Sequence, residues 1–124
     1  MSELRCGTGR EGGQPEPPYL LVVGRADDDL VRAALAGIEE EGVLSRLAVP
    51  QGSSEAAARA AARAAPLEVG LSVVDGAVCL THAKLPHGHV VASAVGATPV
   101  EARRLGHDAA RIVISVPLHS GDPG

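Results

Sequence analysis

The chain has 124 residues, 45% of them hydrophobic and 21% charged, which suits one globular domain built around a single core. With one Tyr and no Phe or Trp, that core has to be made of Val, Leu, Ile and Ala, and no aromatic platform is available for stacking unpaired bases. The formal net charge of −4 removes the basic footprint of a nucleic-acid binder, and no apolar run approaches the roughly 18 residues of a membrane span.

Residues 1–18 are rich in Gly, Pro and Glu, lack a hydrophobic signal core and read as a flexible tail. Residues 119–124 read the same way, leaving 19–118 as one α/β domain. Tyr19 to Gly24 is a short apolar run, a buried first strand. Asp27, Asp28 and Asp29 open a helix, where carboxylates complement the N-terminal dipole, and it runs to Glu41 before Gly42 stops it. Val43 to Val49 is the second strand. Ser53 or Ser54 caps a second helix, which alanines carry to Ala65 before Pro66 ends it.

Two strands, Val69 to Val74 and Ala77 to Thr81, flank Asp75-Gly76, a strong hairpin signal. A loop from His82 to Gly88 leads to a fifth strand at His89 to Val95. Thr98-Pro99-Val100-Glu101 has the spacing of a capping box with Pro at the first helical position. The last helix carries Leu105, Ala109, Ile112, Val113 and Val116 on one stripe. The order βαβαβββα predicts a mixed sheet of about five strands flanked by three helices, a three-layer, Rossmann-like α/β fold.

Most candidate chemistry fails on context. Gly7, Gly9 and Gly12 match a dinucleotide-binding pattern, but that pattern needs a strand before it and a helix after it, and Gln-Pro-Glu-Pro-Pro follows here. His87 and His89 are too few ligands for a zinc site and read as a polar loop tip. Cys79 alternates with apolar neighbours and reads as a small buried hydrophobe. With Cys6 in the tail, it makes no disulfide framework, and a reducing cytoplasm is the simplest setting. His107 and Asp108 point about 100° apart on a helix and read as an exposed face. The stretch Ala56 to Ala65 is either an interaction helix or a thin helix that packs closely.

The first helix is more informative. Stepping about 100° per residue puts Leu30, Val31, Ala34, Leu35 and Ile38 on one core-facing stripe. Ala33, Ala36, Gly37 and Glu40 then fall on the other side, a patch of small residues around a carboxylate that could meet a partner or a cation. Three glutamates at a helix C-terminus also oppose its dipole, which hints at another use.

Four segments carry a family resemblance. Leu35-Ala36-Gly37-Ile38-Glu39-Glu40-Glu41-Gly42-Val43 resembles the GIEEEG segment of the small subunit of diol and glycerol dehydratase reactivases. Ala65-Pro66-Leu67-Glu68-Val69-Gly70-Leu71 resembles its SPL-VGI segment, and Val78 to Pro86 resembles the strand and loop that follow. Gly106-His107-Asp108-Ala109-Ala110-Arg111-Ile112-Val113, then Val116-Pro117-Leu118, resembles its closing helix and exit. His107-Asp108 replaces a more usual Asn-bearing stretch.

This resemblance implies a partner role with no catalytic residue and no cofactor of the chain's own. In the family the small subunit, which resembles the dehydratase medium subunit, joins a large heat-shock-chaperone-like ATPase subunit, as α2β2. The complex releases damaged cobalamin from inactivated coenzyme-B12-dependent dehydratase, exchanging subunits with it. The middle glutamate of GIEEEG, here Glu40, would reach a metal, magnesium, shared with the large subunit. Ala33, Ala36, Gly37 and Glu40 would then form the partner interface. The setting implied is cytoplasmic, with bacterial microcompartments included. Two alternatives stay open: a cobalamin-binding medium subunit of a dehydratase, and a small nucleotide-binding α/β domain.

Overall fold

A computed structural model describes residues 17–86 and 89–115. Most of the two expected tails, the Gly7-Gly9-Gly12 pattern, Cys6, His87 and the Val116 end of the last stripe lie outside the described residues.

The elements run β1 (Leu20–Val23), α1 (Asp29–Glu40), β2 (Ser45–Ala48), α2 (Ser54–Ala64), β3 (Val69–Val74), β4 (Ala77–His82), β5 (Ala92–Ala94) and α3 (Pro99–Ser115). This is the expected βαβαβββα order. The sheet order is β2-β1-β3-β4-β5. β1 lies parallel to both β2 and β3, and the β3–β4 and β4–β5 pairs are antiparallel. The chain therefore leaves β1 in one direction across the sheet and returns in the other. With crossovers of one hand, that reversal puts α1 and α2 on opposite faces.

The core follows this division. Leu20 and Val22 of β1 point to the face covered by α1 and α3, in a cluster with Val31, Ala34, Ile38, Leu71, Leu80, Leu105 and Ala109. Val23 points to the other face, against Ala57 and Ala61 of α2. The result is three layers, with α2 on one side of the sheet and α1 and α3 on the other.

Local chemistry sets most boundaries. The Asp28 carboxylate caps α1 by accepting from the Leu30 amide at 2.9 Å, and the Ser53 hydroxyl caps α2 by accepting from the Ala56 amide at 3.2 Å. Thr98 and Glu101 form the reciprocal capping box of α3, at 2.9 and 3.2 Å. In the hairpin, Asp75 and Gly76 both have positive φ, 50° and 80°, the geometry of a tight turn matched to the strand twist.

The alanine-rich helix turns its small face inward. Ala57, Ala58, Ala61 and Ala62 are buried, and Gly70 of β3 lies beneath them. A methyl on Gly70 would fall less than 3.0 Å from the Ala58 carbonyl and the Ala62 amide, so α2 rests almost directly on the strand.

Both edge strands are shorter than expected. β2 covers Ser45–Ala48 rather than 43–49, and β5 covers Ala92–Ala94 rather than 89–95. At the start of β5 the reason is a buried cation. Arg59 of α2 donates to the carbonyls of Leu85, Pro86 and His89 at 3.4, 3.1 and 3.0 Å, and the Thr81 hydroxyl also reaches the His89 carbonyl at 3.3 Å. Those bonds draw the loop carbonyls towards α2 instead of into the ladder.

Candidate functional site

Glu39 and Glu40 close α1, and Glu41 is its C-cap. Carboxylates there oppose the helix dipole, so they need compensation. It comes from α3. Arg103, His107 and Arg111 are spaced four apart, which sets them on one helix face, and that face lies against the end of α1.

The side chains interlock as a ladder. Arg103 grips Glu40 with two donors, its Nε reaching Oε1 at 3.1 Å and a terminal nitrogen engaging Oε2. His107 bridges the two carboxylates, with Nε2 2.7 Å from Glu40 Oε1 and Nδ1 2.7 Å from Glu41 Oε2. Arg111 Nε closes the far end on Glu41 Oε2 at 3.2 Å. A neutral imidazole donates from one nitrogen only, so which carboxylate receives the His107 proton depends on the ring's tautomer. The Arg103 guanidinium beside Glu40 holds its carboxyl below the usual range, and the hydrogen bond from His107, with Arg111 beside it, does the same for Glu41.

Beneath the ladder the helices touch backbone to backbone. Gly37 of α1 is buried, and a Cβ there would lie less than 3.0 Å from the Arg103 carbonyl oxygen; Gly106 of α3 stands in the same relation to the Ala34 carbonyl. This corrects the helical projection. Val31, Ala34, Gly37 and Ile38 are the buried residues of α1, while Leu30 and Leu35 are half-buried. The projection weighted apolar side chains and was blind to glycine, whose value in a packed helix is the close approach it allows. Gly37 therefore sits under α3 and is not a free surface. Ala33 and Ala36 are half-buried, and Ala33 packs against the core. Glu40 is exposed but tied to α3 rather than alone.

His107 is likewise a bridging group, three-quarters covered, and not an open helix face. Arg103 and Arg111 are the residues that the sequence reading missed, and His107 is the one it placed on an open face. Their signal was the spacing of three basic side chains on one helix of a chain that also ends another helix in three glutamates.

Glu40 is the kind of hard oxygen donor that magnesium takes. Among the described residues, however, no group of three or more His, Cys, Asp or Glu is arranged to hold a metal ion. Both Glu40 oxygens are engaged within the chain. The residues fit a metal in one way only, with Glu40 as a single carboxylate lent to a cation whose other ligands lie elsewhere.

Other candidates resolve simply. Cys79 is buried in β4, and burial pushes its thiol up to about 11, the inert state of a packed cysteine. In open α/β sheets of this kind, nucleotide phosphates sit at a helix N-terminus beyond the strand ends. At the start of α1 that position is taken by the chain's own Asp28 carboxylate, with Asp27 and Asp29 on either side. Among the described residues no helix is long and apolar enough to cross a membrane.

The comparison with curated proteins found no match. The family model described as dehydratase medium subunit matches residues 17–119. Among solved structures, a diol dehydratase-reactivating factor complexed with ADP and Mg2+ is similar with a TM-score of 0.71 and 31% identity, over 83% of this chain and 97% of that one. A glycerol dehydratase reactivase is similar with a TM-score of 0.70 and 30% identity, over 82% of this chain and 96% of that one. The chain belongs to the dehydratase medium-subunit family, and within it to the kind of small chain found in diol and glycerol dehydratase reactivating factors.

Proposed function

We propose that this chain is the small subunit of a reactivating factor for a coenzyme-B12-dependent diol or glycerol dehydratase. It pairs with a large, chaperone-like subunit that hydrolyses ATP, in an α2β2 assembly. It helps release damaged cobalamin by exchanging places with the dehydratase subunit it resembles. The observation that carries this reading is coverage: the likeness spans 97% and 96% of the two reactivating-factor chains. Nothing in the ladder performs a reaction. Fixed charges on a rigid helix pair are equipment for recognising a partner.

In this reading Glu40 is the chain's contribution to a magnesium ion held by the large subunit, with Ala33 and Ala36 beside it at the interface. Gly37 supports that surface from beneath. The test is reconstitution. Inactivated dehydratase is incubated with the large subunit, ATP and magnesium, with and without this chain, and free cobalamin is followed by its visible spectrum. Release that depends on the chain is expected. Equal release without it would overturn the proposal.

The family description favours a second reading, a medium subunit that itself binds cobalamin. Mixing the purified chain with cobalamin separates the two. A reactivase subunit leaves the cobalamin spectrum unchanged, whereas a medium subunit perturbs it.

A further inference from the structure

The ladder at the end of α1 is asymmetric. Glu40 Oε1 is held twice, by Arg103 Nε at 3.1 Å and by His107 Nε2 at 2.7 Å. Glu40 Oε2 is held by Arg103. His107 is backed by Glu41, itself backed by Arg111. The two outer guanidiniums are exposed, Arg111 at 66%, while the middle of the ladder is covered. The Arg103 and Glu40 side chains are 54% and 39% exposed, against 25% for His107 and 21% for Glu41. Withdrawal of one guanidinium would therefore free one carboxylate oxygen completely. The other oxygen would stay fixed on a histidine that is itself fixed.

We propose that Arg103 is a displaceable latch on Glu40, which shields the carboxylate in the free subunit and must swing away before Glu40 can reach a divalent cation on the partner. The inference rests on the reading of Glu40 as a ligand lent to the large subunit's ion. It adds the residue that regulates that ligand. With Arg103 in place, a cation approaching Glu40 meets a positive charge at the same oxygens, and the two compete. With Arg103 withdrawn, His107 keeps the carboxylate oriented, as the hydrogen-bonded partners of a metal-binding carboxylate commonly do. The latch is weak because it is exposed. Ion pairs in water contribute little, so it delays a weak cation without excluding one held by several other ligands.

The test uses the full chain, the large subunit and magnesium. Association is followed by fluorescence anisotropy as magnesium is titrated, for the wild type and for Arg103→Met, Arg103→Lys and Glu40→Ala. A melting curve of each free chain confirms that it is folded. Arg103→Met retains the stem and loses the charge, and should lower the half-saturating magnesium concentration by about two- to fivefold, the range an exposed ion pair commands. Arg103→Lys keeps the charge, loses the two-pronged grip, and should fall between Arg103→Met and the wild type. An unchanged or higher magnesium requirement in Arg103→Met, with the chain folded, overturns the latch. Should Glu40→Ala keep the wild-type magnesium dependence, the ligand reading itself fails, whatever Arg103→Met does.

Discussion

Gly37→Ala separates a residue that holds two helices together from one that waits for a partner. In the interior of an isolated helix, Ala is favoured over Gly by about 1 kcal/mol, so on propensity alone the substitution stabilises α1. The packing argues the other way. The new methyl would lie less than 3.0 Å from the Arg103 carbonyl oxygen and 3.0 Å from the His107 amide nitrogen. Both are backbone atoms of α3, which cannot rotate away as a side chain would. The helices must separate, and Val31, Ala34 and Ile38 on one side then lose contact with Ala102, Leu105 and Ala109 on the other. A gap of 0.5–1 Å forfeits about a quarter to a half of each dispersion contact, and overpacking of this kind costs about 1–3 kcal/mol or more. Set against the propensity gain, the net destabilisation should be about 1 kcal/mol. For a domain of this size that is a fall in Tm of roughly 4–8 °C. The assay is thermal and urea denaturation of the isolated chain, with no partner present. A Tm equal to or above that of the wild type would refute the reasoning. It would mean that α1 and α3 have room between them and that Gly37 is free to face a partner.

Arg59→Met should be destabilising by about 1–3 kcal/mol, because it takes the guanidinium from the Leu85 carbonyl and leaves the Pro86 and His89 carbonyls with only the His89 amide and the Thr81 hydroxyl among the described residues, and hydrogen exchange at the Val91 amide should rise. Unchanged stability would show that water replaces the guanidinium at no cost. Cys79 should resist thiol reagents at neutral pH in a Cys6→Ser background and react when the chain is unfolded in urea. Its thiol is raised from 9.0 to about 11, so the folded state favours the protonated form. The stability this gives is complete below about pH 9 and is lost as pH rises towards 11, which a Cys79→Ala variant should not show. Glu40→Ala should weaken magnesium-dependent association with the large subunit by roughly 30-fold or more, whereas Glu39→Ala should leave it unchanged. Equal affinities would show that Glu40 lends nothing to a partner's ion and serves only to brace α1 against α3.

The legible parts of this fold are those whose causes are local. The Asp28 and Ser53 caps, the Thr98–Glu101 box and the Asp75-Gly76 turn each involve residues within three positions of one another, so spacing alone reveals them. The strand lengths at 43–49 and 89–95 were less legible. An apolar run marks where a strand could extend, and at 89–91 its extent was decided by Arg59, some thirty residues away in sequence. The candidate site lies at the far end of that scale. Glu40 and Arg103 are separated by 63 positions, and Glu41 and Arg111 by 70. No periodicity within α1 could show that its buried face includes a glycine, or that its terminal carboxylates already have cations. What the sequence did carry was an unfavourable arrangement, three glutamates at the wrong end of a dipole. The ladder accounts for two of them. The Glu39 residue stays exposed, its carboxylate in no hydrogen bond or ion pair among the described residues, and the two carboxylates that were compensated are the ones α3 can reach.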